Sequence, residues 1–156
     1  MALALNTGYE NVFYDIVLDG VRDLLITEWN YGKIYIAPEL KHKDPFSIRL
    51  WGTEAETEIF TSQEWQKRYN VDIFMYHINT NPTEIFYKQI YQDAERLNQV
   101  IFNNQTKTIT IDSRDFTWIG AEVSSMDINP EDETEEDVDG LHSVNLSFSC
   151  LVSREN

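Results

Sequence analysis

The sequence predicts an α+β fold: one antiparallel or mixed sheet with two helices packed on one of its faces. Three observations carry that expectation. Residues 65–78 (WQKRYNVDIFMYHI) alternate with period two. Tyr69, Val71, Ile73 and Met75 fall on one side, and Arg68, Asp72, Phe74 and Tyr76 on the other, which is the pattern of a strand. Just after it, Phe86, Ile90, Ala94, Leu97 and Ile101 recur at steps of four and three. That spacing marks a helix of about 20 residues with one buried stripe. Finally, strand-like runs lie on both sides of this unit with no repeat and no low-complexity linker, so residues 1–156 are expected to form a single domain. A strand feeding straight into a long helix builds a layer of sheet on helix, and the other elements complete it.

Taken in order, residues 9–26 read as the first helix. Tyr9, Val12, Phe13, Ile16, Val17, Val21, Leu24 and Leu25 form its apolar stripe, with Asn6 or Thr7 as cap and Gly20 as an unfavourable interior residue. Residues 30–32 (NYG) read as a turn, 33–37 (KIYIA) as a short strand stopped by Pro38, and 39–45 (ELKHKDP) as a polar loop. Residues 46–51 (FSIRLW) alternate and should end at Gly52. Residues 57–61 have two readings: a strand that pairs with 66–78 through a turn near Ser62 and Gln63, which is preferred, or a polar excursion.

In the break before the second helix, Asn81 is the expected cap, Pro82 the first helical residue and Glu84 the capping-box partner. Asn103, Asn104 and Gln105 end that helix. Residues 106–111 (TKTITI) and 116–125 (FTWIGAEVSS) have strand composition and are joined by a turn at 112–115 (DSRD). Residues 127–140 hold eight acids in fourteen positions, a density that reads as a solvated loop. Residues 141–153 close the fold, with Val144, Leu146, Phe148, Cys150 and Val152 inward and Ser143, Asn145, Ser147 and Ser149 on a wet outer face.

Composition narrows the function classes. With 27 acids against 12 bases the net charge is −15, and such a chain repels phosphate polymers. The densest basic cluster, Lys41-His42-Lys43, is followed closely by acids, so specific nucleic-acid binding is not expected. No run has the ~18 apolar residues of a membrane span. The N-terminus lacks the pattern of a secretory signal, so synthesis in the cytosol is expected for a bacterial or viral source. The single cysteine, Cys150, excludes an internal disulfide framework and sits on the core side of its strand, where a thiol is inert.

No motif points to catalysis, a cofactor or a metal. Asp127, Asn129 and Glu131 have the spacing of a calcium loop's first ligands. Asp132 then stands where glycine is needed and Val138 where a glutamate is needed. His42, His77 and His142 have no ligand spacing and read as surface or satisfied histidines. There is no phosphate loop and no nucleophile elbow. Asp93 and Glu95 point to different sides of the second helix, and Glu54, Glu56 and Glu58 share one exposed strand face. The expectation is a protein that is not an enzyme.

The aromatics are more informative. Trp29, Tyr31, Tyr35, Trp51, Phe60, Trp65, Tyr69, Tyr76, Tyr87, Tyr91 and Trp118 exceed what one small core takes. Either loops widen the core or some of these residues meet other subunits, since aromatics are enriched at interfaces. Trp51, Trp65, Tyr87 and Tyr91 are the interface candidates, and the strand 66–78 and the loop 127–140 the segments expected to face neighbours.

This order also resembles a family. An N-terminal amphipathic helix precedes short strands, then the strand YNVDIFMY at 69–76, a proline-started helix ending in LNQVIF at 97–102, and a late strand pair closing in SFSCLV. From about residue 9 to residue 153 the chain resembles the tail-terminator (tail-completion) proteins of long-tailed bacteriophages, and more loosely their neck and minor tail proteins. The stretches 52–65 and 127–140 depart from that pattern. The resemblance implies a homo-hexameric ring on the last ring of tail-tube protein. Such a ring stops polymerisation, offers the surface to which head–tail connector or neck proteins attach, and is found in the virion after assembly in the host cytoplasm. An acidic lumen would let DNA pass without adhering, because phosphate contacts are what give affinity. The alternatives are another head–tail connector, neck or minor tail component, or a cytosolic binding module or small enzyme.

Overall fold

The computed structural model describes residues 9–30, 33–37, 44–61, 64–129 and 140–155. They form one curled sheet in the order β1-β2-β3-β6-β5-β4, with two helical elements against it. The strands are β1 Lys33–Ile36, β2 Phe46–Phe60, β3 Glu64–Ile78, β4 Thr108–Ile111, β5 Arg114–Asn129 and β6 Leu141–Glu155. β1 runs parallel to β2 and every other neighbouring pair is antiparallel, so the sheet is mixed.

The long alternating segments become the sheet's centre. β3 and β6 pair without interruption from Glu64↔Glu155 to Ile78↔Leu141. That register puts Tyr69, Val71, Ile73 and Met75 beside Cys150, Phe148, Leu146 and Val144, all buried on one face as their alternation demands. Both helices cover this same face. The Phe13 ring meets Tyr69 edge-on at 4.9 Å, and Asp93 of the second helix bonds His77.

The first helix begins later than its stripe suggested. Asn11 opens it, its side chain accepting the Tyr14 N–H, and Tyr9 lies outside and exposed. The expected caps Asn6 and Thr7 lie outside the described residues. The first turns, Val12–Leu18, are π-helical, with the Asp19 N–H on the Tyr14 carbonyl, and continue as α1 Asp19–Glu28. Gly20 has a packing role. A Cβ there would stand 2.6 Å from Trp118 Cζ2, so its absence lets α1 settle onto the buried indole. Where α1 ends, Arg96 of the second helix bonds Glu28 and lies 4.9 Å over the Trp29 ring.

The second helix, α2 Glu84–Phe102, buries Ile90, Ala94, Leu97 and Ile101 as the stripe requires. Its start corrects the capping expectation. Thr83, in extended conformation, is the cap and accepts the Phe86 N–H at 3.4 Å. Asn81 and Pro82 precede the helix, the Asn81 N–H being held by the Asn79 side chain. Glu84 is thus the first helical residue, where its negative charge complements the helix dipole.

Gly52 does not end β2. The strand passes through a bulge between Gly52 and Glu54 and continues to Phe60, in hairpin register with β3. The expected turn residues of that hairpin, Ser62 and Gln63, lie outside the described residues. A Cβ at Gly52 would stand 2.5 Å from the Phe13 ring, so this glycine serves a close approach. β4 and β5 join at Asp112 and Ser113, both at positive φ, the pair of conformations that a two-residue hairpin loop uses. β5 then runs to Asn129, so residues 127–129 are strand and not loop. Met126 and Ile128 pack inward beside Leu146 and Val144 while Asp127 and Asn129 point out. The rest of the acidic stretch up to residue 139, and the polar stretch 38–43, lie outside the described residues.

Candidate interaction surface

Residues capable of chemistry are placed where they hold the core together. His77 Nε2 lies 2.9 Å from Asp93 Oδ2, and Gln89 Nε2 donates to Asp93 Oδ1 at 2.9 Å. Both His77 and Asp93 are buried. The Phe46 and Phe86 rings flank His77 at 5.0 and 6.2 Å, and His142 meets Phe86 at 5.1 Å and Tyr87 at 5.4 Å. The polar pair is thus sealed between β3 and α2 and ties the helix to the sheet. Both Asp93 oxygens and His77 Nε2 are partnered, while His77 Nδ1 is buried without a hydrogen-bond partner among the described residues. Among the described residues, no group of three or more His, Cys, Asp or Glu is placed to hold a metal ion. No described helix is long and apolar enough to cross a membrane.

Cys150 is fully buried, and burial pushes its thiol up to about 12 from an ordinary 9.0. Burial also pushes the Tyr69 phenol beside it up to about 12 from 10.0, with Cys150 as a lesser contributor. The fold therefore favours both neutral forms, and the unfolded chain ionises first. The stability this gives is fully present below pH 9 and is lost as pH rises toward 12. Each group costs about 1.4 kcal/mol per pH unit across its own window. Urea unfolding at pH 8 and pH 10.5 should show a fall in midpoint. Cys150→Ala should flatten that fall, and an unchanged slope would count against thiol burial as its cause.

The surface holds the more unusual features. Tyr87 and Tyr91 stand one turn apart off the buried stripe of α2, with Tyr91 57% and neighbouring Ile85 80% exposed. Together with Glu84 and Lys88 they line a hollow of about 420 Å³. Trp51 is 45% exposed but far from this group, on the sheet face that the helices leave open, opposite Asp72. Trp65 is placed in the core beside Phe116, under the Arg154 guanidinium, with 9% of its surface left for any contact. Trp29, Tyr69, Tyr76 and Trp118 are buried as well, so the core absorbs more aromatics than the sequence count suggested. The open sheet face is apolar around Trp51, in the cluster of Phe74, Tyr76, Ile78 and Leu141, and at Ile59 and the neighbouring pair Ile119 and Leu151. Elsewhere it presents Asn70, Asp72, Asn145, Ser147 and Ser149.

Residues missed by sequence reasoning are Ile85 and Phe102, both largely exposed. Ile85 had a usable signal, since it lies off the stripe. Phe60, counted among the surplus aromatics but not among the interface candidates, is 82% exposed.

The sheet also has free edges. β3 is central, with β2 and β6 on both its sides, so it has no edge to offer a neighbour and only its outer face is left for one. β1 pairs only with residues 47–50 of β2, and β4 only with residues 114–117 of β5. Among the described residues, 51–60 of β2 and 122–129 of β5 therefore have no outer strand partner, at diagonally opposite corners of the sheet, the Ala121 N–H of β5 being held by the Gln105 carbonyl. No protein-family model matches the chain, and no curated protein matches it.

Proposed function

We propose that this chain is a structural subunit of a long-tailed phage particle, a tail terminator. It closes into a homo-hexameric ring on the end of the tail tube, stops tube growth and presents the surface for head–tail connector or neck proteins. The observation that carries this reading is the second apolar side of α2. One stripe of the helix serves the chain's own core, and Ile85, Tyr87 and Tyr91 remain for another surface. Exposed aromatic and aliphatic side chains around a hollow are what a subunit contact anchors on. The order of elements, alike in the resemblance to tail terminators, supports the same assignment. Contacts between unlike surfaces of identical copies close a ring when the rotation between copies divides a full turn.

Charge shapes the assembly. Copies of net charge −15 repel one another, so added salt should strengthen the ring by screening. Light scattering after size exclusion, with negative-stain images, should show six-membered rings, either alone or once tube ends are supplied. Ile85→Ser with Tyr91→Ser should shift the population to monomer without lowering the melting temperature, because neither side chain is in the core. A wild-type chain that stays monomeric at high salt and with tube ends present would refute the assignment.

A further inference from the structure

We infer that the free edge of β2, residues 51–60, receives an extended segment of another protein whose side chains alternate between basic and apolar. The inference stands apart from the ring reading and uses a different part of the molecule.

Three independent features meet at this edge. First, its backbone is open: among the described residues, β2 is paired there on the β3 side alone, and residues 53–60 are all exposed. An exposed strand edge is a template for an incoming strand. Second, the side chains on the two faces differ in chemistry. Glu54 and Glu56 stand opposite Asn70 and Arg68 on the face away from the helices, and Glu58 bonds Arg68 Nε at 3.4 Å on that same face. Glu54 and Glu56 lie between the bulges at Gly52/Glu54 and Thr57/Ile59, and an added strand would align every second residue with that pair, Ile59 following on the same face. Third, the helix-side face opens into a groove of about 450 Å³. Its floor includes the small residues Ala55 and Thr57, and its walls include Phe13, Phe60, Trp65 and Tyr69, with Lys67 and Arg154 among the polar lining. Phe60 is 82% exposed at its rim. The remaining residues of an added strand would point into this aromatic cleft.

The two faces together specify the occupant. Lysine or arginine on one side would meet the glutamate row, and aliphatic or aromatic side chains on the other would fill the groove. A second copy of this chain does not fit. Two β2 edges would align glutamates with glutamates. The free edge of β5 would bring Glu122 and Asp127 to the same face, since they pair with Ser149 and Asn145 of β6. Like charges directly opposed on a sheet are unfavourable. The glutamate row thus keeps copies apart while leaving the edge open to a basic strand, a specificity built from repulsion as much as attraction.

The test uses the full chain and a fluorescein-labelled peptide of sequence KVKFKVKV, read by anisotropy, with amide shifts in nuclear magnetic resonance to locate it. Binding is expected with shifts concentrated in residues 53–60. Four comparison peptides separate strand addition from the general attraction of a basic peptide to an acidic protein: EVEFEVEV, the clustered isomer KKKKVVVF, and KVKFKVKV with N-methyl groups at every second residue in each of the two phases. Each should bind at least about tenfold more weakly, apart from one N-methyl phase whose blocked groups face away from the edge. Glu54→Lys with Glu56→Lys and Glu58→Lys should weaken KVKFKVKV by a similar factor and create binding of EVEFEVEV. Ala55→Trp, which fills the groove, should weaken binding with the charges intact. These positions are exposed, and should a variant fail to fold, the peptide series on the wild type still decides. Equal binding of the clustered isomer, shifts centred elsewhere, no binding at millimolar peptide, or an edge found occupied by a second copy or by the chain's own N-terminal residues would overturn the inference.

Discussion

Replacing Gly140 with alanine should destabilise the protein by about 2–4 kcal/mol, close to the largest effect open to a single methyl group here. Gly140 has φ +74, a conformation that costs an L-residue about 1–2 kcal/mol. Space adds a second cost. A Cβ at this position would stand 2.6 Å from the Asn79 carbonyl oxygen, 2.7 Å from its carbon and 2.8 Å from the Thr80 nitrogen. All three are backbone atoms, so no rotamer change relieves the contact. The two segments would have to part, which endangers the 2.9 Å bond from the Asn79 N–H to the Gly140 carbonyl. That bond pins the start of β6 to the end of β3, where Ile78↔Leu141 and His77↔His142 set the register of the central pair. Gly120 supplies the control. It has φ +62 but nothing within 4 Å of a built Cβ, so Gly120→Ala should cost only about 1–2 kcal/mol. The gap between the two in urea denaturation isolates the backbone approach. Equal losses would mean that conformation alone matters at Gly140.

What was legible in the sequence was whatever repeats without interruption. β3 and the inner residues of β6 keep strict alternation and pair in perfect step, and the stripe of α2 holds for its whole length. The α+β class and the order of elements follow from those runs. Reading failed where a bulge rephased a strand. At Gly52 the bulge allows β2 to continue, and between Val123 and Ser125 it resets β5 so that Met126 and Ile128 face inward amid acids. The run of acids that follows, from 131 to 139, masked that alternation. Strand order was illegible too, since a long alternating strand reads alike in the middle of a sheet and at its edge. The candidate surface was half visible. Tyr87 and Tyr91 lie off the helix stripe and are exposed, whereas Trp65 occupies an inward strand position and is buried. The His77–Asp93 contact, formed across 16 residues by the docking of α2, had no local signature.

Trp118→Ala should be the most damaging substitution in the chain, at about 3–5 kcal/mol. The indole is fully buried, meets Phe148 at 5.9 Å in a T-shaped contact, and donates its Nε1–H to the Ile16 carbonyl at 3.2 Å. It therefore joins the sheet to the π-helical segment by packing and by a hydrogen bond together. Trp118→Phe separates the two contributions. It keeps much of the apolar volume and removes the donor, for a hydrogen-bond loss of about 1 kcal/mol besides the lost ring. Gly20 makes the test sharper. In the wild type, Gly20→Ala forces a methyl group to within 2.6 Å of Trp118 Cζ2, an overpacking cost of about 1–3 kcal/mol. Against it stands a gain of about 1 kcal/mol from replacing glycine inside a helix. In the Trp118→Phe background the benzo ring of the indole that the new methyl group would strike is gone, so most of the cost should be relieved, leaving the milder 3.2 Å approach to Ile109 Cδ1, and the helical gain should remain. Gly20→Ala is then expected to destabilise the wild type and to stabilise the Trp118→Phe variant. A double-mutant cycle by urea denaturation would read this as a coupling energy of about 1–3 kcal/mol. If Gly20→Ala has the same effect in both backgrounds, α1 is not seated on the indole, and the Phe13 wall of the β2 groove loses the anchor that holds its helix in place.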